Sequence, residues 1–328
     1  MPRWFISVSI AVLSLPGGPA NAQSPSFHGP ISGFVYSRDS RTVRPLFGIP
    51  GATYIGSPVL GEVDSASIAP GGKWALITKG GRSSFLRGLS DLAPAESSPD
   101  GLIDAVDRVL WNRDGSYALL YSSSGTRLQR VQLSHTGAIA DRPVDLSPWG
   151  QATALAIDPA GQQIAFGVAG LGFYLFQVGQ SPALLSSMAS PAAAAFDGTG
   201  QRLYAVDLDQ QQIAEFDSGS SALLFASLAQ PDPEGTPPAV TPVGLAVSGD
   251  GRYLMLADSA AQAVRVYETA SRSLANTIPL DFTPSRFEAL SPGTFLLNGD
   301  HSNEWLLVLD ARQIPGVSFV PANREEAQ

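Results

Sequence analysis

A unit of roughly 40 residues recurs along this chain, and so short a unit has few ways to bury its apolar surface. The clearest copy is Thr241–Leu280, TPVGLAVSGDGRYLMLADSAAQAVRVYETASRSLANTIPL. It holds four short apolar runs, Gly244–Val247, Tyr253–Ala257, Ala263–Tyr267 and Leu274–Leu280, separated by polar turns. In the first turn, Ser248-Gly249-Asp250-Gly251, Asp can accept a hydrogen bond from the backbone two residues on, and Gly takes positive φ at no steric cost. Four strands joined by three tight reversals make an antiparallel meander whose apolar face it cannot cover alone. Copies must stack, and radial stacking of four-stranded antiparallel sheets gives an all-β propeller.

The glycine that closes the first turn locates six copies, at Gly72, Gly115, Gly161, Gly200, Gly251 and Gly293, spaced 43, 46, 39, 51 and 42 residues apart. The long interval contains Gln230–Val240, a Pro-rich stretch that cannot sit inside a sheet. Ahead of the six copies, Phe34–Tyr36 and Thr42–Ile49 match the third and fourth runs of the unit, so the chain is expected to begin in mid-unit. Two closures follow. Seven blades result, the favoured count, if this fragment shares a mixed blade with the C-terminal strand Val317–Val320; six blades and a satellite hairpin result if it does not. Joining the ends inside one blade removes a free edge, which favours seven.

Met1–Ala22 has the layout of a secretory signal: Arg3, an apolar run Trp4–Leu15, a Pro/Gly break and the small-x-small Ala20-Asn21-Ala22. Cleavage is expected before Gln23, leaving residues 23–328 as one propeller domain in the periplasm or outside the cell. No later stretch is long enough to span a bilayer. The chain has no cysteine, so neither a lipid anchor nor a disulfide framework supports it, and its 44% hydrophobic content must supply the core. A formal charge of −9 without a basic run disfavours nucleic acid and anionic membranes as partners. A monomer is expected.

The repeated apolar strand, the D/N-x-x-G turn and the second apolar strand, with Ala257-Asp258 and Val206-Asp207 after two copies, resemble the YVTN-type and lactonase-like family of bacterial β-propellers. The likeness covers nearly the whole mature chain. It implies the fold and little else, because these motifs are turn and packing chemistry.

A search for catalytic motifs finds no H-E-x-x-H, G-x-S-x-G, cysteine pair or Walker loop. Gly167–Gly172 lacks dinucleotide spacing and reads as a hairpin. Histidine is scarce; His28 and His135 stand apart from other titrating groups, whereas His301 follows Asp300. In a propeller, the loops between second and third strands share one face with the segments leading into each blade, opposite the D-x-x-G turns. That rule gathers Lys79, Arg82, Asp207, Asp258, Asp300 and His301 from the loops, and Asp64, Asp104, Asp107, Trp149 and Phe282 from the leading segments. Asp207, Asp258 and Asp300 come from consecutive blades and could ligate a hard cation such as calcium, or grip a cationic or hydroxylated ligand. Equally, an Asp ending a strand forms the next turn by accepting backbone N–H groups. Trp149 reads as packing or ligand contact, and Trp74, Trp111 and Trp305 as core.

The leading expectation is a non-catalytic exported module that binds or scaffolds a protein, peptide or saccharide through its loop-rich face. The alternative is a lactonase-like hydrolase with its site at the channel mouth, drawing on Asp258, Asp300, His301 and Arg82.

Overall fold

All six turn glycines fall in the left-handed region, with φ between 65° and 81°. At two of them the consequences of adding a methyl group differ. A Cβ at Gly251 would meet nothing, whereas one at Gly161 would collide with the Tyr117 ring. Gly251→Ala is therefore expected to cost about 1–2 kcal/mol, from backbone strain. Gly161→Ala should add roughly 1–3 kcal/mol of overpacking to that. Urea denaturation of the two variants checks the order, and equal costs would contradict it.

In a computed structural model, residues 29–91, 93–217, 222–228, 239–299 and 305–322 are described. They form seven antiparallel sheets arranged in a ring, a β-propeller, and the only helical element among them is a single 3-10 turn at Pro70–Gly72. Blades 2 to 7 begin with the inner strands Ser65–Ile68, Arg108–Trp111, Ala154–Ile157, Pro191–Phe196, Pro242–Val247 and Glu288–Ser291, and each continues outward in chain order.

Period-2 alternation explains the packing, since successive side chains of a strand face opposite neighbours. In Arg202–Asp207, Leu203 and Ala205 pack toward blade 4 while Tyr204 and Val206 pack toward blade 6. The result is seven separate apolar clusters, one at each junction between neighbouring blades, including the junction of the last with the first.

Blade 1 departs from the expected closure in two ways. The C-terminal strand Gly316–Val320 pairs with Leu306–Asp310 of its own blade and not with the N-terminal fragment. The fragment also occupies a register one strand earlier than its spelling suggests. In blades 3, 5 and 6 the carbonyls of Thr126, Gln211 and Gln262, each at positive φ just before the third strand, accept the N–H of Leu146, Leu228 and Leu280 at 2.7–2.8 Å. In blade 1 Arg41, with φ 54°, accepts the N–H of Val63 at 3.0 Å. The Gly48 N–H donates to Pro30, the residue after Gly29, just as Thr269 donates to Arg252 after Gly251. Ile31–Ser37, Thr42–Ile49 and Ala52–Ile55 are thus the second, third and fourth strands of blade 1.

Six inner strands therefore line the channel among the described residues. Blades 2 and 7 close over the inward edge of Ile31–Ser37, with Leu290 Cβ only 3.0 Å from where a Cβ on Gly33 would lie. Gly33–Ser37 are all buried.

Candidate functional site

The second-to-third loops and the leading segments share one end of the ring, as the Asp64 carboxylate accepting from the Gly81 N–H in blade 2 and the Val63 N–H donating to the Arg41 carbonyl in blade 1 show. Position by position, the carboxylates gathered there from the sequence serve the loops themselves. Asp258 is fully buried, and its Oδ1 accepts N–H groups of Thr241, Ala260 and Ala261 at 3.0–3.3 Å. Its Oδ2 lies 2.9 Å from Arg265 Nη2. Asp207, also fully buried, accepts the N–H of Ser190 at 3.3 Å and of Asp209 at 3.1 Å. Such bonds make the turns and occupy the Oδ1 lone pairs; at Asp258 the Arg265 guanidinium also faces Oδ2, whereas Asp207 Oδ2 is buried without a hydrogen-bond partner among the described residues.

Asp300 and His301 lie outside the described residues, and with them one member of the carboxylate trio. Among the described residues no group of three or more His, Asp or Glu side chains is placed to hold a metal ion. Calcium titration up to millimolar concentration tests an ion site directly: a saturable rise in melting temperature that is lost in Asp300→Asn would show a site formed with Asp300, and the absence of any rise would remove it.

Lys79 and Arg82 face each other across the blade 2 hairpin, and exposed Lys79 Nζ lies 3.3 Å from Glu62. Trp149 is half-buried against Phe166 and Tyr174, with ring centroids at 6.0 Å, so it packs blade 4. Trp74 and Trp111 pack against Phe85 in the core. Trp305 does not: it is 36% exposed, precedes its strand, meets Phe282 edge-on and lies tilted against exposed Phe319. The apolar run Leu306–Leu309 that follows forms the strand, and Trp305 sits just outside the ladder.

The structure brings together other residues around the central channel. At the loop end the wall carries Ser65, Thr78, Asp107, Arg108, Ser285 and Arg286, around a space of about 500 Å³. Asp107 turns away, accepting the N–H of Ser123 at 2.7 Å and also its hydroxyl. Arg108 lies over the Tyr121 ring at 5.3 Å and donates to the carbonyls of Ala152 at 2.9 Å and Thr153 at 3.3 Å. Below, a second space of about 260 Å³ continues between Ile68, Val109, Ala156, Leu245 and Phe287 toward the D-x-x-G turns.

A side chain bridges that far end. Arg113, in the blade 3 turn, reaches the blade 6 turn and donates from Nη2 to the Gly249 carbonyl at 2.9 Å. Its guanidinium lies where a Cβ on Gly198, in the blade 5 turn, would fall. Gly198 and Gly249 have ordinary φ, so the conformational reason for glycine is absent there; at Gly198, room for Arg113 replaces it. Those second glycines, in D-G-T-G and S-G-D-G, are the one trace of the bridge in the sequence.

The turns themselves are tied by carboxylates. Ser248 Oγ donates to Asp250 at 2.7 Å and holds the carboxyl below its ordinary value of 3.8, and the Arg312 guanidinium does the same for Asp310. A lowered folded-state value contributes stability that is present above the unfolded value and lost as the pH falls through the folded one. The melting temperature should therefore drop below about pH 4, and Asp250→Asn with Asp310→Asn should flatten that limb. An unchanged acid limb in the double variant would contradict this.

No protein-family profile matches the sequence, and no curated protein matches it significantly. Solved structures do. Kluyveromyces lactis Hsv2 superposes with a TM-score of 0.53 at 10% identity, over 90% of this chain and 98% of that one. Kuenenia stuttgartiensis hydrazine synthase gives 0.56 at 11%, over 93% and 99%. A 6-phosphogluconolactonase candidate of Bacteroides fragilis gives 0.56 at 12%, over 89% and 95%. What these likenesses show is the propeller fold. At such identities no site residue is transferred.

Proposed function

We propose that this chain is a non-catalytic binding or scaffolding module that receives a protein, peptide or saccharide at the loop-rich end of the ring. One observation carries the reading: the D-x-x-G end is bridged by Arg113, whereas the loop end opens into the channel through a polar wall. The carboxylates that would have suggested chemistry there, Asp207 and Asp258, are buried and engaged by their own turns. The YVTN-type likeness of the repeats belongs to the same proposal, as does export after removal of residues 1–22, for which N-terminal sequencing of the native protein should return Gln23.

The test is a screen of the immobilised chain against oligosaccharide and peptide arrays, with each hit mapped by amide hydrogen exchange. Protection confined to residues 104–108, 122–126 and 149–153 supports the proposal. Protection confined to the D-x-x-G turns overturns it. Turnover of sugar lactones that disappears in Asp300→Asn would replace it with the hydrolase reading.

A further inference from the structure

The wall of the channel changes character along its length. At the mouth it carries hydroxyl groups and two guanidinium groups. Arg286 Nη1 lies 3.3 Å from the Glu288 carboxylate, and Asp107 is turned into its loop by Ser123. Arg108 is held by neutral groups only: two carbonyls and the Tyr121 ring. It is also exposed, so its positive charge faces the channel without an anionic partner among the described residues.

Deeper in, the wall is apolar yet remains accessible. Ile68, Val109, Leu110, Trp111 and Ala194 are only half-buried, although they lie on inner strands. Such surface normally finds cover, and here only the Arg113 side chain crosses the far end of the space that it lines. The two spaces share Ser67, Val109, Leu245 and Phe287 in their walls, so they adjoin. Arg108, a cation paired only with neutral groups, thus stands above a largely apolar chamber whose charged lining, Arg113, Asp197 and Glu288, lies at its ends, and that arrangement fits a molecule with an anionic head and an apolar tail.

From this juxtaposition we infer that the channel binds an amphiphilic anion, its carboxylate or phosphate head on Arg108 and its unbranched apolar chain in the chamber beneath. The inference rests on the open mouth that carries the proposed binding role, and it adds a ligand class. An uncharged chain gains the apolar contacts alone. A short anion gains only Arg108, in competition with water and salt.

The test is calorimetric titration of the full chain with hexanoate, octanoate and decanoate, alongside decanol and acetate. Decanoate is expected to bind one per chain, and each added methylene should tighten binding about fourfold until the chamber is filled. Decanol should bind roughly 10-fold or more weakly than decanoate, the difference a charge-assisted hydrogen bond makes. Arg108→Gln should reduce decanoate to the level of decanol and leave decanol unchanged, a pattern that misfolding would not produce. Leu245→Trp, which fills the chamber, should weaken decanoate and spare acetate.

Equal binding of decanoate and decanol would overturn the inference. So would independence of chain length, or sensitivity to Arg113→Gln in place of Arg108→Gln. If decanoate fails while an array hit protects the loops, the ligand class falls and the module stands; if exchange protection maps to the D-x-x-G turns, the module itself falls.

Discussion

Replacing Arg265 by Leu is expected to destabilise the fold by about 3–5 kcal/mol, because it removes one partner from a buried ion pair and leaves the other charged. The arginine is 7% exposed and Asp258 is not exposed at all. Their 2.9 Å contact spans the second and third strands of blade 6, and Arg265 Nη1 also donates to the Leu228 carbonyl at 3.2 Å, joining blade 6 to the end of blade 5. Removing the guanidinium thus strips a carboxylate of its charge partner and a carbonyl of its donor. The double variant Asp258→Asn/Arg265→Leu should recover part of the loss, since Asn keeps an acceptor for the turn N–H groups without the charge. Urea denaturation measures both. A single-variant cost below about 1 kcal/mol would mean that the pair behaves like a surface bridge.

The second large effect is expected at the junction of the last blade with the first. Leu46 is fully buried with Val35, Ile55, Leu290, Leu296, Val308 and Val320. No strand of the described residues crosses this junction by backbone pairing, because each of the two sheets is built from its own end of the chain. Leu46→Ala should cost about 2–5 kcal/mol, the range for a large-to-small change in a core. The loss should be local. Blade 1 is held covalently only to blade 2, so its opening should expose residues 38–64 to protease before the rest unfolds. Leu256→Ala, equally buried but between blades that are continuous on both sides, is the control. Indistinguishable cleavage patterns in the two variants would show that the ring opens no more easily there.

The ring was legible in the sequence because its information is repeated. Six glycines at similar spacing each need a left-handed turn, and five of them are followed by a strand of six residues, the one after Gly293 being the shorter Thr294–Leu296. The place of the first fragment was not legible, for a local reason. Phe34-Val35-Tyr36 is an apolar run that suits a second strand as well as a third, and the turn after it, Ser37–Arg41, contains no glycine to mark it. What decides the register is Arg41 at positive φ, with its carbonyl bound by Val63, and an arginine in that conformation leaves no compositional trace.

With the register corrected, the same two positions can be compared around the ring. Ser37 with Arg44 and Ser122 with Gln129 stand where Asp207 stands with Ala214 and Asp258 with Arg265. The recurring carboxylate is therefore a tolerated variant of a buried turn-forming position, which explains why sorting residues by loop gathered Asp207 and Asp258 without making a site of them. The channel residues were missed for the opposite reason. Arg108 opens an inner strand and Arg113 sits in a turn on the other face, so neither belonged to a loop class that the spelling could collect. Only closure of the ring brings Arg113 to Gly249, across 136 residues of sequence.

That last contact also acts as a gauge of circumference. Blades 3 and 6 stand on opposite sides of the axis, and one arginine side chain spans the distance between their turns. Insertion of an extra blade would widen the circle and carry the acceptor out of range, so a single side chain records how many sectors this ring can hold.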